Sequence, residues 1–461
     1  MNRRIVGAVA GILVSLAILA LPSVGALDAL GQRALAFIAL GVVFWATDVL
    51  SAGITALLVL GLMLATGLPA ADVLKGFSVS AFWILVSVLF FGHAMDKTGL
   101  ARRIAYRILL VFPGTYAGIL LAFLCIGSVL ALGIPSMTVR TAIIMPIAWA
   151  LVQALNLELP SRGSALIILS TFEMAVLPGC AILTGALWGP HLIGLFGAQN
   201  LELTWLGYAA VMFIPTLIWC LLVLAGNMLV LRPSGTLGVT GDIARSELER
   251  LGGMSRSEVM TASVVGLSVL AWASQPWHKI PPEAIGMLAL SALFATQVLA
   301  PAEISTGISW PLALFVGGVL SVSNVMTKYK INDWLSSFII PAVDPVVGNA
   351  LLLALVLGVG VMAMRFIDPV GFISITAFFP PLAKVAPSWG VSPLVLAGII
   401  VLPLHVFWFS YQNIWIVITD GVTKKQAYTD GDRVKLAHVY AVTTLIGIAM
   451  AVGYWKLTGA L

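Results

Sequence analysis

Residues 115–155 read TYAGILLAFLCIGSVLALGIPSMTVRTAIIMPIAWALVQAL, an apolar stretch that is interrupted at Pro135. One helical crossing needs about 20 residues, so this stretch is too long for a single span. Two helical arms joined by a tip would account for its length, because irregular backbone at membrane depth is tolerated where protein buries it or where it lines a cavity. A second stretch, residues 346–386, is interrupted at Pro369 and Gly371. We therefore predict two re-entrant helical hairpins.

The composition places the chain in lipid. Of its 461 residues, 60% are hydrophobic and only 9% are charged, whereas soluble domains usually carry roughly 25% charged residues. The three cysteines show no C-x-x-C spacing, which disfavours a disulfide framework or a zinc site. The net charge of +5 does not predict a nucleic-acid partner, because in a membrane chain the placement of Lys and Arg matters more than their sum. We expect membrane lipid as a partner and no nucleic acid.

Apolar segments of spanning length follow one another along the chain. We predict an all-α polytopic membrane protein with about 11 transmembrane helices in addition to the two re-entrant hairpins, using the usual span length as the criterion. The predicted spans lie near residues 5–21, 34–50, 52–68, 79–96, 163–190, 204–231, 258–275, 283–300, 309–327, 392–420 and 434–457.

The N-terminus has two possible interpretations. Arg3 and Arg4 precede the first apolar run, and Val24-Gly25-Ala26 follows it, so the segment also resembles a cleavable signal peptide. We favour a retained first span, because the run is long for a signal sequence. With the N-terminus inside, most of the 24 Lys and Arg residues fall on the cytoplasmic side. This predicts a bacterial-type plasma (inner) membrane protein with an external C-terminus.

Two parts of the chain show the same order of elements. The segment from Phe82 to Lys97 corresponds to the one from Ser309 to Lys328, and each leads through a short basic amphipathic stretch into a broken hairpin. Inverted repeats with interrupted helices at corresponding positions point to a transporter binding site. The predicted domains are N-terminal scaffold helices (1–76), a first repeat (77–231, with hairpin 115–155), a cytoplasmic linker (232–257), further scaffold helices (258–304) and a second repeat (305–461, with hairpin 346–386).

Each hairpin tip carries an arginine. Arg140 lies four residues after Ser136, and Arg365 lies just before Asp368. A charged side chain at membrane depth costs at least about 2.5 kcal/mol unless it is paired or hydrated. We therefore expect at least one guanidinium group to bind an anionic substrate in a bidentate fork. The structural alternative is an ion pair at each tip, Arg140 with Glu173 and Arg365 with Asp368.

Oxygen-bearing side chains near the tips suggest a coupling ion. Asp368 is an intramembrane carboxylate beside a helix break, a position that binds a cation or takes up a proton. Ser136 and Thr138 offer hydroxyl groups together with the carbonyl groups that a broken helix frees for sodium. His191 follows a Gly-Pro pair at another predicted break and is either a substrate contact or a packing residue.

Residues 134–140, IPSMTVR, resemble the I-P-S-N-T-A-R hairpin-tip motif of the divalent anion/sodium symporter (DASS) family, in the branch of oxoglutarate/malate translocators. That branch also places an arginine at the last position. Leu183-Thr184-Gly185 resembles the first helix break of the branch, and Gln412-Asn413 resembles the Pro-Asn of the second. Met137 and His191 stand where the family has Asn, and the second tip, residues 366–369, has no Ser-Asn-Thr motif.

The resemblance implies a fold, a substrate class and a set of site residues. Hairpins and following spans would form a mobile transport unit that moves against a scaffold, an elevator-type mechanism, in a homodimer. A dicarboxylate-like anion is the implied substrate and sodium the implied coupling ion, and no other cofactor is expected. With the tip residues above, the candidate substrate-binding residues are Ser136, Met137, Thr138, Arg140, Thr184, His191, Arg365, Asp368, Pro369, Gln412 and Asn413. The candidate cation-coupling residues are Ser136, Thr138, Gly185 and Asp368.

Three function hypotheses follow. The leading one is a secondary active transporter of small anions such as malate, oxoglutarate or sulfate, and not an enzyme. The alternative is a cation/proton antiporter or metalloid exporter with Asp368 as the exchange site. An intramembrane enzyme is disfavoured, because the sequence has neither an acidic pair nor a His-x-x-x-His cluster at helix spacing. No G-x-x-x-x-G-K-[ST] loop occurs, so an ion gradient or the gradient of the substrate would supply the energy.

Overall fold

The computed structural model describes residues 3–22, 27–233, 237, 241–366, 368, 371–409 and 412–461, and within them the chain is helical, with no strand. The first half contains α1 (Arg3–Ala20), α2 (Ala29–Thr47), α3 (Ala52–Ala65), α4 (Ala70–Val73), α5 (Ser80–Lys97), α6 (Leu100–Leu109), α7 (Tyr116–Gly133), α8 (Met137–Ala154), α9 (Arg162–Val176), α10 (Trp188–Ala198) and α11 (Trp205–Leu231). The second half contains α12 (Gly241–Leu251), α13 (Arg256–Ala273), α14 (Gln275–His278), α15 (Pro282–Ala295), α16 (Glu303–Thr306), α17 (Trp310–Lys328), α18 (Ile331–Val343), α19 (Ala350–Met364), α20 (Phe372–Ala383), α21 (Pro393–Val401), α22 (Ile414–Thr423) and α23 (Asp430–Thr458).

The predicted all-α polytopic architecture is confirmed. Every predicted span contains a helix. In the described part of the chain, 7 helices are long and apolar enough to cross a membrane, and the bent pair of α5 and α6 would make an eighth. The predicted span 258–275 contains the 18-residue helix α13, and the remaining predicted spans contain shorter apolar helices of 10–17 residues, so the number of crossings stays a prediction.

Both predicted hairpins consist of two helical arms. In the first, α7 and α8 meet at a short tip, and the Ser136 hydroxyl accepts a hydrogen bond from the Val139 N–H (3.3 Å) at the start of α8. In the second, α19 and α20 meet at a tip where Gly371 adopts a left-handed φ of 89°, a conformation that favours glycine. Gly127 brings α7 against α9, because a Cβ there would lie 1.9 Å from the Met174 carbonyl oxygen. The tips are thus fixed by local capping and by close backbone packing.

Each hairpin is followed by a broken span. Helix α9 ends in a 3-10 turn, Leu177–Ala181, and turns and bends at residues 182–187 separate it from α10. Helix α21 likewise ends in a 3-10 turn, Leu402–His405, after which Val406 is extended. Both turns begin with Leu-Pro, and a proline lacks the N–H that an α-helix would use. Because these breaks free main-chain carbonyl groups inside the protein, each one needs donors from elsewhere in the fold.

The order of elements is the same in the two predicted repeats. A long helix, an amphipathic helix, a hairpin, a broken span and a second long helix follow one another, first as α5 to α11 and then as α17 to α23. The hairpins and broken spans pack on one another and on α11 and α23, while α10 contacts α5 and α17. We call the hairpins, broken spans, α11 and α23 the hairpin unit, and α1–α3, α5, α13, α15 and α17 the scaffold.

The predicted cytoplasmic linker, 232–257, contains a helix that the sequence analysis did not predict. The segment was predicted only as a linker, but apolar side chains of α12 recur at helical spacing, and Ala244 is buried against the protein. Arg103 of α6 holds the end of this segment. Its Nε donates to Glu258 Oε1 (2.6 Å), and its terminal nitrogens donate to the carbonyls of residues 251–253. The linker is therefore attached to α6.

Glu303, which lies outside the predicted spans, provides a pH-dependent contact. Burial alone would raise the pKa of Glu303, but the Ala300 N–H, Lys97 and His93 donate to its carboxylate and lower the pKa from 4.5 to about 2. A depressed carboxyl pKa contributes stability that is fully present above the unfolded-state pKa and is lost as the pH falls through the folded-state value.

We expect acidification from pH 5 to about pH 2 to lower the melting temperature of the wild type more than that of Glu303→Gln, because only the wild type loses this ionised contact as Glu303 takes up a proton. Thermal denaturation of both proteins across this range is the measurement. Equal losses of melting temperature in the two proteins would contradict the expectation.

Candidate functional site

Arg140 binds main-chain carbonyl groups at the first tip and the first break. Its Nε donates to the Ala175 oxygen (2.9 Å), and its terminal nitrogens donate to the carbonyls of Ile134 (2.5 Å), Gly185 (2.5 Å) and Val176 (3.3 Å). The side chain is fully buried. Four of its five N–H groups thus join the hairpin tip to the unwound part of the following span.

Arg365 has a similar set of partners in the second half. Its guanidinium group donates to the Asp368 carbonyl at the second tip, to the Gln412 carbonyl (2.6 Å) and to the Val406 carbonyl (3.4 Å) at the second break. Arg365 is also fully buried. Each arginine therefore places a fixed positive charge where a hairpin tip meets a helix break.

Asp368 caps the second arm of its hairpin. One carboxylate oxygen accepts from the Gly371 N–H (2.8 Å), and the other accepts from the N–H (2.7 Å) and hydroxyl (2.8 Å) of Ser374. Pro369, also predicted at this site, lies outside the described residues. The alternative pairing of Arg140 with Glu173 is not found among the ion pairs of the described chain, since Glu173 accepts instead from the Asn227 amide (2.5 Å).

The two breaks cross at His405. Its ring lies 5.1 Å from the ring of Trp188, at the start of α10, and 5.9 Å from the ring of Trp415, near the start of α22. Its Nδ1 lies 3.7 Å from Cys180 Sγ of the first break. These contacts bring the unwound segments of the two halves together. Neither tryptophan nor His405 was predicted as a site residue, because contacts between segments that are distant in sequence produce no recognisable local sequence pattern.

Each broken span also faces the hairpin of the other half. The Trp415 Nε1 donates to the Thr138 hydroxyl (3.2 Å) at the first tip. In the other half, His191 Nε2 lies 2.9 Å from the Thr376 hydroxyl in α20. His191 follows the first break and Trp415 follows the second. Of the two, only His191 was predicted as a site residue.

The helices that begin near the crossing present their N-termini. Ser136 caps α8, Asp368 caps α20, and Asn413 Oδ1 accepts from the Trp415 N–H (3.1 Å) to cap α22. Helix N-termini carry partial positive charge, which adds to the charges of Arg140 and Arg365. The region therefore favours an anion.

The remaining predicted residues are at or near the same crossing. Met137 is buried at the start of α8, and Gln412 folds the second break by accepting from the Trp408 and Phe409 N–H groups (2.7 and 2.9 Å). Thr184 lies farther out, where its hydroxyl accepts from Trp205 Nε1 (3.1 Å).

A cavity of about 170 Å³ lies beside Thr184 and is lined in part by Glu202 and Glu283. Two carboxylates disfavour a dianion there, because like charges repel. This cavity is therefore a poor place for an anionic substrate, and the crossing of the breaks remains the candidate site.

Comparison with known proteins gives consistent matches. Residues 2–454 match the model of the family described as sodium:sulfate symporter transmembrane region. The chloroplastic dicarboxylate transporter 1 of Arabidopsis thaliana is 23% identical over 435 residues, which cover 90% of this chain and 76% of that protein. A protein of Cupriavidus necator named only as a membrane protein is 26% identical over 396 residues, 80% of this chain and 76% of its own. Among solved structures, the YdaH transporter of Alcanivorax borkumensis shares the fold, with a TM-score of 0.56, 13% identity and coverage of 84% of this chain and 88% of that one.

Proposed function

The chain belongs to the sodium:sulfate symporter family, and from that premise we propose that it is a secondary active transporter of small anions, with di- or tricarboxylates such as malate or oxoglutarate as substrates. Its relative in Arabidopsis thaliana is named as a dicarboxylate transporter. The observation that carries the proposal is the pair of buried guanidinium groups, each at the junction of a hairpin tip and a helix break. Carriage across the membrane, rather than an enzymatic reaction, is the proposed activity.

The substrate would bind at the crossing of the two breaks. Arg140 and Arg365 supply fixed charge, although main-chain carbonyls occupy most of the N–H groups of Arg140. The direct contacts of the anion would therefore come largely from groups beside the arginines, such as the hydroxyl groups of Ser136 and Thr138 and the amide of Asn413. In this proposal the arginines attract the anion through their charge, and the neutral groups orient it through hydrogen bonds.

Movement of the hairpin unit against the scaffold would give alternating access. Helix α10 meets the scaffold helix α17 through Gly194, where a Cβ would lie 2.3 Å from a methyl group of Leu320. Small residues at helix contacts allow close packing in membranes. We propose an elevator-type movement at this contact, in a homodimer, with the chain in a bacterial-type inner membrane and its N-terminus in the cytoplasm, as the distribution of Lys and Arg favours.

The arginines also bear on the coupling ion. The predicted cation-coupling residues are Ser136, Thr138, Gly185 and Asp368. The carbonyl oxygens of the last two accept hydrogen bonds from Arg140 and Arg365. A guanidinium group bound by carbonyl oxygens supplies the positive charge that a sodium ion would bring. We therefore propose that anion binding by this chain needs little sodium.

The test is thermal stability of the purified protein with malate, oxoglutarate, citrate, tartrate or sulfate, each in sodium and in choline salts. A ligand that binds only the folded state adds about 2.7 kcal/mol of stability at 100 times its dissociation constant, so a dicarboxylate should raise the melting temperature in both salts. If no anion raises it while sodium or pH does, the cation/proton antiporter hypothesis replaces the present one. If a dicarboxylate raises the melting temperature only in sodium salts, the anion-transport proposal stands, but the proposal that the arginines replace sodium is wrong.

A further inference from the structure

Glu173 is a buried carboxyl group that the anion site does not use. It lies in α9 and is only 2% exposed. Within the described chain, its carboxyl group receives one hydrogen bond, from the Asn227 amide of α11 (2.5 Å), and forms no ion pair. An isolated ionised carboxylate in an apolar interior is so costly that such groups usually take up a proton. This environment suits a group that gains and loses a proton.

Asp368, the carboxylate first predicted to take up a proton, has a different environment. Two main-chain N–H groups and one hydroxyl donate to it, so its carboxylate is already engaged in capping α20. The geometry points to Glu173, and not Asp368, as the site that binds a coupling proton during anion transport. This inference rests on the proposed anion transport and adds the coupling ion to it.

Asn227 can serve both protonation states of Glu173. In the present orientation its two N–H groups donate to Glu173 and to the Ser170 hydroxyl (3.0 Å), while its Oδ1 is buried without a hydrogen-bond partner. The two ends of an amide side chain can be exchanged by rotation. After that rotation, Oδ1 would accept the O–H of a protonated Glu173, so neither state leaves the carboxyl group without a partner.

The elements packed against α9 bring no cation to Glu173. They are α7, α8, α11, α22, α23 and the turn of residues 177–181. Cys220 of α11 and Tyr440 of α23 lie close enough to Glu173 for its charge to act on them. Arg140 of α8 binds carbonyl groups. The other titratable groups of these elements have contacts of their own or lie near helix ends. Cys180 is near His405, Tyr208 donates to the Cys180 carbonyl, Asp420 accepts from Tyr428, His438 contacts the Val434 carbonyl, and Tyr454 donates to the Ala210 carbonyl. Arg433 and Lys435 of α23 pair with Asp430 and Asp432, Tyr116 and Lys456 lie in the terminal turns of α7 and α23, and Cys125 lies within α7.

Charge balance explains why an anion would bring a proton with it. Arg140, Arg365, Asp368 and Glu173 are the buried Arg, Lys, Asp and Glu side chains of the described hairpin unit. With Glu173 ionised, the two carboxylates balance the two guanidinium groups, and the empty unit is neutral. A bound dianion then leaves two negative charges uncompensated in a low-dielectric interior. Uptake of a proton by Glu173 removes one of them, so anion binding and proton binding favour each other.

The position of Glu173 permits this coupling. Glu173 lies two residues before Ala175, whose carbonyl accepts the Nε–H of Arg140. Arg140 in turn donates to the Ile134 carbonyl at the first tip. The proton site is thus connected to the anion site through the main chain of α9 and a single side chain.

The experiment measures proton uptake when malate or oxoglutarate is added to the purified full-length protein in weakly buffered detergent solution with a pH-sensitive dye. At a pH above the midpoint of Glu173 in the empty protein, we expect about one proton per bound anion in the wild type, whereas below that midpoint Glu173 already carries its proton and uptake should fall toward zero. Glu173→Gln, which keeps the shape and the hydrogen bond of the protonated carboxyl, should take up no proton at either pH. Anion affinity of the wild type should fall as much as tenfold per pH unit above the midpoint, whereas the affinity of Glu173→Gln should not change with pH. Proton uptake that persists in Glu173→Gln would overturn the inference.

Two further measurements separate this inference from the proposed function. Asn227→Leu removes a hydrogen bond that is stronger to the ionised carboxylate than to the protonated carboxyl, so the pH midpoint of anion binding should move to higher pH. This measurement stands even if Glu173→Gln fails to fold. An unchanged midpoint in Asn227→Leu would count against Glu173. If the wild type binds anions without proton uptake and without pH dependence, only the proton site is rejected. If it binds no anion at any pH, the proposed function and the proton site are rejected together.

Discussion

Arg140→Ala should abolish anion transport and lower the free energy of unfolding by at least about 4 kcal/mol, because it leaves four buried carbonyl oxygens without their donor and each such loss costs about 1–3 kcal/mol. The carbonyls belong to both the hairpin tip and the broken span, so the two would also separate. Thermal denaturation and uptake into proteoliposomes measure the two effects.

Two controls test the cause of this loss. Arg102→Ala removes an exposed arginine of α6 and should change stability by no more than about 0.5 kcal/mol. Arg140→Lys keeps the charge but has no planar fork to reach four carbonyls, so it should restore only part of the stability. An Arg140→Ala protein as stable as Arg102→Ala would show that the carbonyl groups do not depend on this side chain.

Gly189→Ala should give the second large effect. Gly189 follows the first break, and a Cβ there would lie 1.4 Å from the Leu183 carbonyl oxygen. No rotation of a side chain relieves a clash with main chain, so the break would have to open. Overpacking of this kind costs about 1–3 kcal/mol or more, and we expect transport to fall to background because the break carries the anion site.

The same helix offers a matched control. A Cβ at Gly197 of α10 would meet no heavy atom within 4 Å, and alanine is favoured over glycine in a helix by roughly 0.5–1 kcal/mol. Gly197→Ala should therefore keep transport and match or exceed the wild-type melting temperature. Equal transport by Gly189→Ala and Gly197→Ala would contradict the close approach at the first break.

Much of the fold could be predicted from the sequence. Apolar runs of spanning length and the proline interruptions identify the helices, the hairpins and the breaks, because lipid demands continuous helices except where protein covers the gap. Helix α12 was missed because its charge and glycine content hide a short apolar stripe. Its burial depends on α6, which is distant in sequence.

The site was predicted less completely, for a physical reason. Depth in the membrane identifies Arg140 and Arg365 as exceptional, but their partners are carbonyl groups, which every residue possesses and which no sequence pattern distinguishes. The contacts of His405 with Trp188 and Cys180 depend on the crossing of two segments more than 200 residues apart. Glu173 was considered only as a partner of Arg140, and its contact with Asn227 required the packing of α9 on α11.

The central claim, that this chain carries a small dianion across the membrane with little need for sodium, is tested most directly by exchange in proteoliposomes. Vesicles loaded with unlabelled malate would be diluted into choline medium that contains labelled oxoglutarate. The account predicts that label accumulates in vesicles with the wild-type protein and not in vesicles with Arg140→Ala. Label that accumulates only when sodium is added would contradict the claim of little need for sodium. Absence of label from wild-type vesicles under every condition, including added sodium, a pH gradient, and sulfate or citrate in place of the dicarboxylates, would contradict anion transport itself.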